Sequence, residues 1–373
     1  MANDAPVIFE ERAAGDAHKV GVATLNAEKS LNSLTLEMID LLQEKFTAWE
    51  NDASVVCIFL EGAGDKAFCA GGDVVAMHRT SAAYGEELSG TATQDFFSRE
   101  YRLDHHIHTY SKPIIVWGNG IVMGGGLGLM SGASHRVLTE STRMAMPEVT
   151  IGLYPDVGGT YFLNHAPGKT GLFLGLTGAS INAADAKFVG LGDRFVCHCE
   201  KAKVLDALAQ ANWSAASAGS VVSQLLREFE EACIDEQLEG QVQSHLDWIN
   251  DVCDADNTPA LVEKILSYDG DDAWLSRAKS GLAKGCPVTP YLVREQMQRG
   301  KHLSLADIFR MELVMSTNCA SRGHFKEGVR ALLIDKDRNP QWLPAKVADV
   351  SDAEIEAFFT APWSENDHPL KDL

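Results

Sequence analysis

Two unbroken apolar runs, Val55 to Leu60 and Pro113 to Trp117, are each followed by a glycine-rich loop, and this pairing constrains the fold more than any other feature. A run without polar alternation suits a strand covered on both faces, the usual strand of a parallel sheet. The second run leads through Gly118–Met123 into Gly124-Gly125-Gly126, which opens an apolar helix, so strand, loop and helix recur in α/β order. Residues 18–25 alternate as a further strand. Thr35 is placed to cap a helix through residue 50, with Leu36, Met38, Ile39, Leu41, Leu42, Phe46 and Trp49 on its apolar face. Short strands are expected at 135–139, at 143–146, where Pro147-Glu148 ends the run, and at Arg194-Phe195-Val196.

Past residue 200 the composition shifts. Residues 200–270 read as helical and acidic, 288–335 as two more helical stretches, and 336–373, with Pro340, Pro344, Pro362 and Pro369, as a polar loop. We therefore expect a core over 1–200 and a mainly helical region over 201–373. A chain of 373 residues with 45% hydrophobic residues can bury such a core.

The formal charge of −20 argues against a nucleic-acid partner, because phosphate-backbone affinity rests on clustered Lys and Arg. No apolar run approaches a membrane span, and the start, Met1 to Glu11, lacks the pattern of a targeting segment. A cytoplasmic location is the expectation. Eight cysteines include no C-x-x-C pair, and Cys197-His198-Cys199 has no partner pair at zinc spacing. His105, His106 and His108 likewise have no Cys or carboxylate at helical spacing. Reduced thiols and no metal are expected.

Chemistry concentrates in two glycine loops and two acids. Ala70-Gly71-Gly72-Asp73 and Gly124-Gly125-Gly126 offer backbone amides without a Cβ in the way. The competing reading is a tight turn with Asp73 as a helix N-cap. The second loop is no dinucleotide fingerprint, being far from the first βα turn and lacking its acidic partner. Glu148 and Asp156 follow in M-P-E-x-x-x-G-x-x-P-D-x-G-G. Each has a plainer reading: Glu148 as a strand-end carboxylate paired with Arg143 or Arg136, Asp156 as an Asx-turn residue after Pro155. Glu100 reads as a solvated helix charge beside Arg99 and Arg102, and Lys66 as a surface lysine.

The ordered set F-C-A-G-G-D, G-G-G-x-G and M-P-E-x-x-x-G-x-x-P-D-x-G-G resembles the crotonase (enoyl-CoA hydratase/isomerase) superfamily, most closely its 3-hydroxyacyl-CoA hydrolases. The likeness extends to Leu31-Asn32-Ser33-Leu34 and to Arg322–Lys336. It implies an α/β spiral of repeated ββα units, with the helical region covering the site or mediating assembly. It further implies an oxyanion hole from the amides of Gly72 and Gly125, and coenzyme A contacts from Ala70, Gly71 and Asp73, with Lys66 near the phosphates. Glu148 would be nucleophile or general base, Asp156 would bind the substrate hydroxyl, place water or protonate the thiolate, and Glu100 would line the acyl pocket. The family's hydratases carry a second glutamate two residues past the triplet; here Gly128 stands there. The resemblance thus implies hydrolysis of a short β-hydroxyacyl-CoA, 3-hydroxyisobutyryl-CoA of valine breakdown first, with no cofactor beyond the coenzyme A of the substrate. A homo-oligomer would be usual. The alternatives are hydration or isomerisation of an enoyl-CoA, and acyl-CoA binding without turnover.

Overall fold

The computed structural model describes residues 5–15, 17–84 and 86–373; Met1–Asp4 of the start lie outside them. The chain divides into two compact units, each assembled from separated stretches, so the division does not fall at residue 200. One comprises Met1–Gly72, Leu103–Met144 and Ile181–Gly240, the other Asp73–Arg102, Ala145–Ser180 and Gln241–Leu373.

The first unit is built on a six-stranded sheet. Its strands are β1 (Val7–Ala14), β2 (His18–Leu25), β3 (Val55–Gly62), β5 (Ile114–Gly118), β7 (His135–Leu138) and β9 (Arg194–Phe195), in the order β1-β2-β3-β5-β7-β9. All pairs are parallel except β1 with β2. Cys57, Ile58, Phe59 and Leu60 of β3 are fully buried, as an unbroken apolar run between two parallel neighbours requires. A smaller sheet joins β4 (Ala67–Cys69), β6 (Ile121–Met123) and β8 (Arg143–Ala145) in that order. Helix α1 (Leu36–Asn51) starts where Thr35 accepts the Met38 amide at 3.2 Å, and it buries Met38, Ile39, Leu42, Phe46 and Trp49.

Strand β1 escapes the sequence reading because Glu10, Glu11 and Arg12 interrupt it. As an edge strand it keeps these charges at the rim, where Glu11 accepts from Trp49 Nε1 at 2.9 Å and from Lys19 at 2.9 Å.

The second unit is helical. It contains α2 (Val74–Tyr84), the part of α3 (Glu86–Thr109) up to Arg102, a 3-10 turn at Glu148–Ile151 and α5 (Gly159–His165). Later helices include Thr289–Gly300, Leu305–Ser321 and His324–Val329. No described strand follows Phe195, in keeping with the helix-rich composition. The expected polar loop at 336–373 is corrected in one respect. It holds a helix, Asp352–Phe358, capped by Ser351 through the Glu354 amide at 3.2 Å, with Ile355, Phe358 and Leu370 buried. Ser351-x-x-Glu354 is the capping signature that marks it.

Candidate active site

In the first unit the two glycine loops lie side by side. Gly71 has φ +108°, and a Cβ built on it would stand 3.3 Å from the Met123 carbonyl and 3.9 Å from the Gly125 nitrogen. Gly126 packs closer still, since its Cβ would come within 2.3 Å of the Cys69 carbonyl oxygen. The β4–β6 pairing sets this proximity, with Cys69 opposite Val122. Gly124 turns the chain at φ 49° into helix α4 (Gly125–Ser131), leaving Gly125 as the first helical residue. Among the described residues, no backbone acceptor pairs with the amide of Gly72 or Gly125. Two such open amides on neighbouring loops suit an oxyanion.

The Leu31–Leu34 segment fastens the first loop. Ala70 donates to the Leu31 carbonyl at 3.0 Å, and Leu34 donates to the Gly71 carbonyl at 2.8 Å. Buried Asn32, at φ 56°, donates from Nδ2 to Ala67 and Ala63 carbonyls at 2.9 and 3.0 Å and accepts the Ala27 amide at 3.0 Å. Asn32 carries the loop's geometry, although the sequence offered it only as part of a motif.

The second unit brings the acids together. Glu100, Glu148 and Asp156 are all buried, and the charge on Asp156 raises the other two carboxyls. Burial is the larger cause: it lifts Glu100 and Glu148 well above the carboxylate range, and it lifts Asp156 to about 6 against the pull of the Tyr101 hydroxyl. Among the described residues, Glu100 Oε1 and Glu148 Oε2 have no hydrogen-bond partner. Unpartnered buried carboxyl oxygens are costly, so they mark a site more than a structural role. No group of three His, Cys, Asp or Glu is placed to hold a metal ion among the described residues.

These positions bear on the plainer readings. Arg136 is engaged by Asp193 at 2.7 and 2.9 Å and Arg143 is exposed, whereas Glu148 is buried. Glu100 is no solvated charge: Arg99 pairs with Asp95 and Arg102 with Asp372. At Asp156 the turn closes through the main chain, Gly159 N to Asp156 O at 2.7 Å, while the carboxyl stands 2.6 Å from the Tyr101 hydroxyl. Asp73 does cap α2, accepting the Ala76 amide at 3.0 Å. Lys66 is exposed.

The turn bearing Asp156 is fastened by later helices. Glu312 accepts the amides of Gly158 and Thr160, both at 2.8 Å; Gln296 donates to the Pro155 carbonyl at 3.1 Å, and Thr289 to the Leu153 carbonyl at 2.6 Å. Between them Val157 is held at φ 53°, a conformation a β-branched residue rarely adopts. Glu312, Ser316, Tyr101 and Tyr154 are absent from the sequence reading. The signal was available: Glu312 and Ser316 continue the buried stripe of Phe309, Leu313 and Cys319 on one helix face.

With this geometry in place, comparison supplies the family. The model described as enoyl-CoA hydratase/isomerase matches residues 20–359. The chain belongs to the enoyl-CoA hydratase/isomerase family. A curated family relative, "3-hydroxyisobutyryl-CoA hydrolase, mitochondrial" of Danio rerio, is 40% identical over 95% of this chain and 89% of its own length. A solved structure titled as a carnitinyl-CoA dehydratase from Mycobacterium thermoresistibile aligns with a TM-score of 0.83 at 35% identity, covering 95% of this chain and 96% of that one. Another, titled as an enoyl-CoA hydratase from Rhodobacter sphaeroides 2.4.1, aligns at 0.82 and 29% identity over 96% and 98%. The crotonase-type α/β fold with a helical C-terminal region is thus shared with these members of the enoyl-CoA hydratase/isomerase family.

Proposed function

We propose that this protein hydrolyses a short β-hydroxyacyl-CoA thioester, 3-hydroxyisobutyryl-CoA of valine breakdown first, to the hydroxy acid and coenzyme A. The observation that carries this reading is the burial of Glu148 with Asp156 while Gly128 occupies the position two residues past the triplet. Adding water across a double bond calls on a second carboxyl there; cleaving a thioester does not. The curated relatives named as 3-hydroxyisobutyryl-CoA hydrolases support the substrate.

In this proposal the amides of Gly72 and Gly125 stabilise the tetrahedral oxyanion, a pair in which each donor is worth about 10²–10³ in rate. Glu148 either attacks the carbonyl carbon, giving a mixed anhydride that water then opens, or takes a proton from the attacking water. Collapse breaks the C–S bond, and Asp156, raised to about 6, gives its proton to the departing thiolate. A buried acid also favours acyl groups whose hydroxyl pairs with it, because an unpaired one is costly. Glu100 lines the acyl pocket, and Ala70, Gly71 and Asp73 bind coenzyme A. No cofactor is required, since the steps need only amide donors and carboxyl protons.

Among the described residues no helix is long and apolar enough to cross a membrane. We include a cytoplasmic location and a homo-oligomer in the proposal, to be checked by fractionation and light scattering; the curated relatives are named mitochondrial.

The test is thiol release from 3-hydroxyisobutyryl-CoA against crotonyl-CoA. Fast release from the hydroxyacyl thioester should drop at least about 10²-fold in both Glu148→Gln and Asp156→Asn. The two solved neighbours, named as a carnitinyl-CoA dehydratase and an enoyl-CoA hydratase, favour a second reading, lyase chemistry. Loss of crotonyl-CoA absorbance without free thiol would establish it and sink hydrolysis.

A further inference from the structure

Asp156 ends a buried chain of hydroxyls. Its Oδ2 meets Tyr101 Oη at 2.6 Å, Tyr101 Oη meets Ser316 Oγ at 2.6 Å, and Ser316 Oγ meets Tyr154 Oη at 2.8 Å. Tyr154 then donates to the Glu312 main-chain carbonyl at 2.6 Å. Tyr101, Tyr154 and Ser316 are 0% exposed and Asp156 is 4% exposed, so each proton must be found within the chain.

The protons can be counted. The far end is a carbonyl, which only accepts, so Tyr154 gives its proton there. Four contacts join the chain, but the hydroxyls of Tyr101, Ser316 and Tyr154 bring only three protons. With Asp156 ionised, one contact has no proton between two oxygens closer than 3 Å. With Asp156 protonated every contact is filled, each group donating toward Glu312.

We propose that Ser316 and Tyr154 are positioning residues that, acting through Tyr101, keep Asp156 as the acid of the resting enzyme by giving its proton a place in an otherwise incomplete chain. This rests on the hydrolase reading, in which Asp156 must arrive protonated to release the thiolate. Ser316 acts from the helix Leu305–Ser321 without touching Asp156, through Tyr101.

Other groups bear on Asp156, and they fix the background of the test. Glu100 from α3, Glu148 from the 3-10 turn, Tyr154 from the following segment, and Glu312 and Cys319 from the helix Leu305–Ser321 all interact with it electrostatically. All are buried, and all but Tyr154 are left unsubstituted in the variants below.

Counting gives opposite signs for two nearly isosteric changes. Ser316→Ala removes two contacts and one proton, leaving Tyr101 free to serve an ionised Asp156. Tyr101→Phe removes that donor and leaves the ionised form unserved. Damage to packing has no reason to separate the two.

The measurement is the carbon-13 carboxyl resonance of Asp156 in the ligand-free protein, assigned by its loss in Asp156→Asn and followed from about pH 4 to about pH 9. At fixed pH, Ser316→Ala should raise the ratio of ionised to protonated Asp156 roughly tenfold, and Tyr101→Phe should lower it by a similar factor. Tyr154→Phe, which also lets the ionised state fill its contacts, should move with Ser316→Ala, and a shift of the opposite sign there overturns the proposal whether or not Tyr101→Phe folds. Shifts of one sign in Ser316→Ala and Tyr101→Phe, or no shift in Ser316→Ala, overturn the proposal. Thiol release by the unmodified protein is a separate arm: its absence defeats the hydrolase reading while the titration still judges the chain.

Discussion

Glu312 shows how a single side chain can serve a reaction it does not touch. Its two carboxyl oxygens accept the Gly158 and Thr160 amides on either side of Gly159, and this clamp holds Val157 in the left-handed region immediately after Asp156. Burial pushes Glu312 up to about 8 against the pull of those amides. Glu312→Gln preserves volume but keeps a single accepting oxygen, so one buried N–H loses its partner, at a cost of about 1–3 kcal/mol. The expected outcome is a kcat lowered roughly tenfold or more with KM nearly unchanged, because the group that moves is the acid and not the coenzyme A contacts. Steady-state thiol-release kinetics check this, and an unchanged kcat would show that the turn holds without the clamp.

At the scale of elements, the glycine loops depend on how closely β4 and β6 bring them together. Gly126→Ala would place a methyl 2.3 Å from the Cys69 carbonyl, which is backbone and cannot swing aside. The loops must part, and kcat/KM should fall at least about 10²-fold, as for loss of one oxyanion donor. Gly219, in the helix Ala218–Ala232, meets nothing within 4 Å, so Gly219→Ala should leave activity intact and stabilise by up to about 1 kcal/mol. Chemical denaturation and thiol release on both variants separate the effects. The same elements show what could be read in advance. β3 and β5 were legible because burial on both faces leaves an unbroken apolar run, and α1 because its stripe and Thr35 cap agree. The small sheet was not: β4 and β6 are three residues each, and pairing between short strands distant in sequence leaves no period to detect. Glu148 and Asp156 stood out through flanking Pro and Gly, whereas the helix stripe marks Ser316 as buried without revealing its partner Tyr101, 215 positions away.

For the whole molecule, the buried acids set how stability varies with pH. Asp156 goes from 3.8 to about 6 and Glu312 from 4.5 to about 8, while Glu100 and Glu148 are raised too. A carboxyl raised on folding binds its proton more tightly in the folded state. The stability it contributes is therefore complete below its unfolded value and lost as pH climbs through its folded value. For Asp156 that loss spans the interval from 3.8 to about 6 and amounts to roughly 3 kcal/mol; for Glu312 it continues to about 8. The formal charge of −20 at pH 7 adds self-repulsion in the same direction. Surface pairs act oppositely but at lower pH: Glu11, held near 2 by Trp49, Lys19 and Lys45, loses its contribution as pH falls from 4.5 to about 2. We therefore expect Tm to be highest in mildly acidic buffer and to fall by at least about 4 °C between about pH 5 and about pH 9. Asp156→Asn, whose side chain does not titrate, should flatten the lower part of that slope. Calorimetry across this range checks both, and a Tm rising with pH would mean that these carboxyls are ionised in the folded protein at no cost.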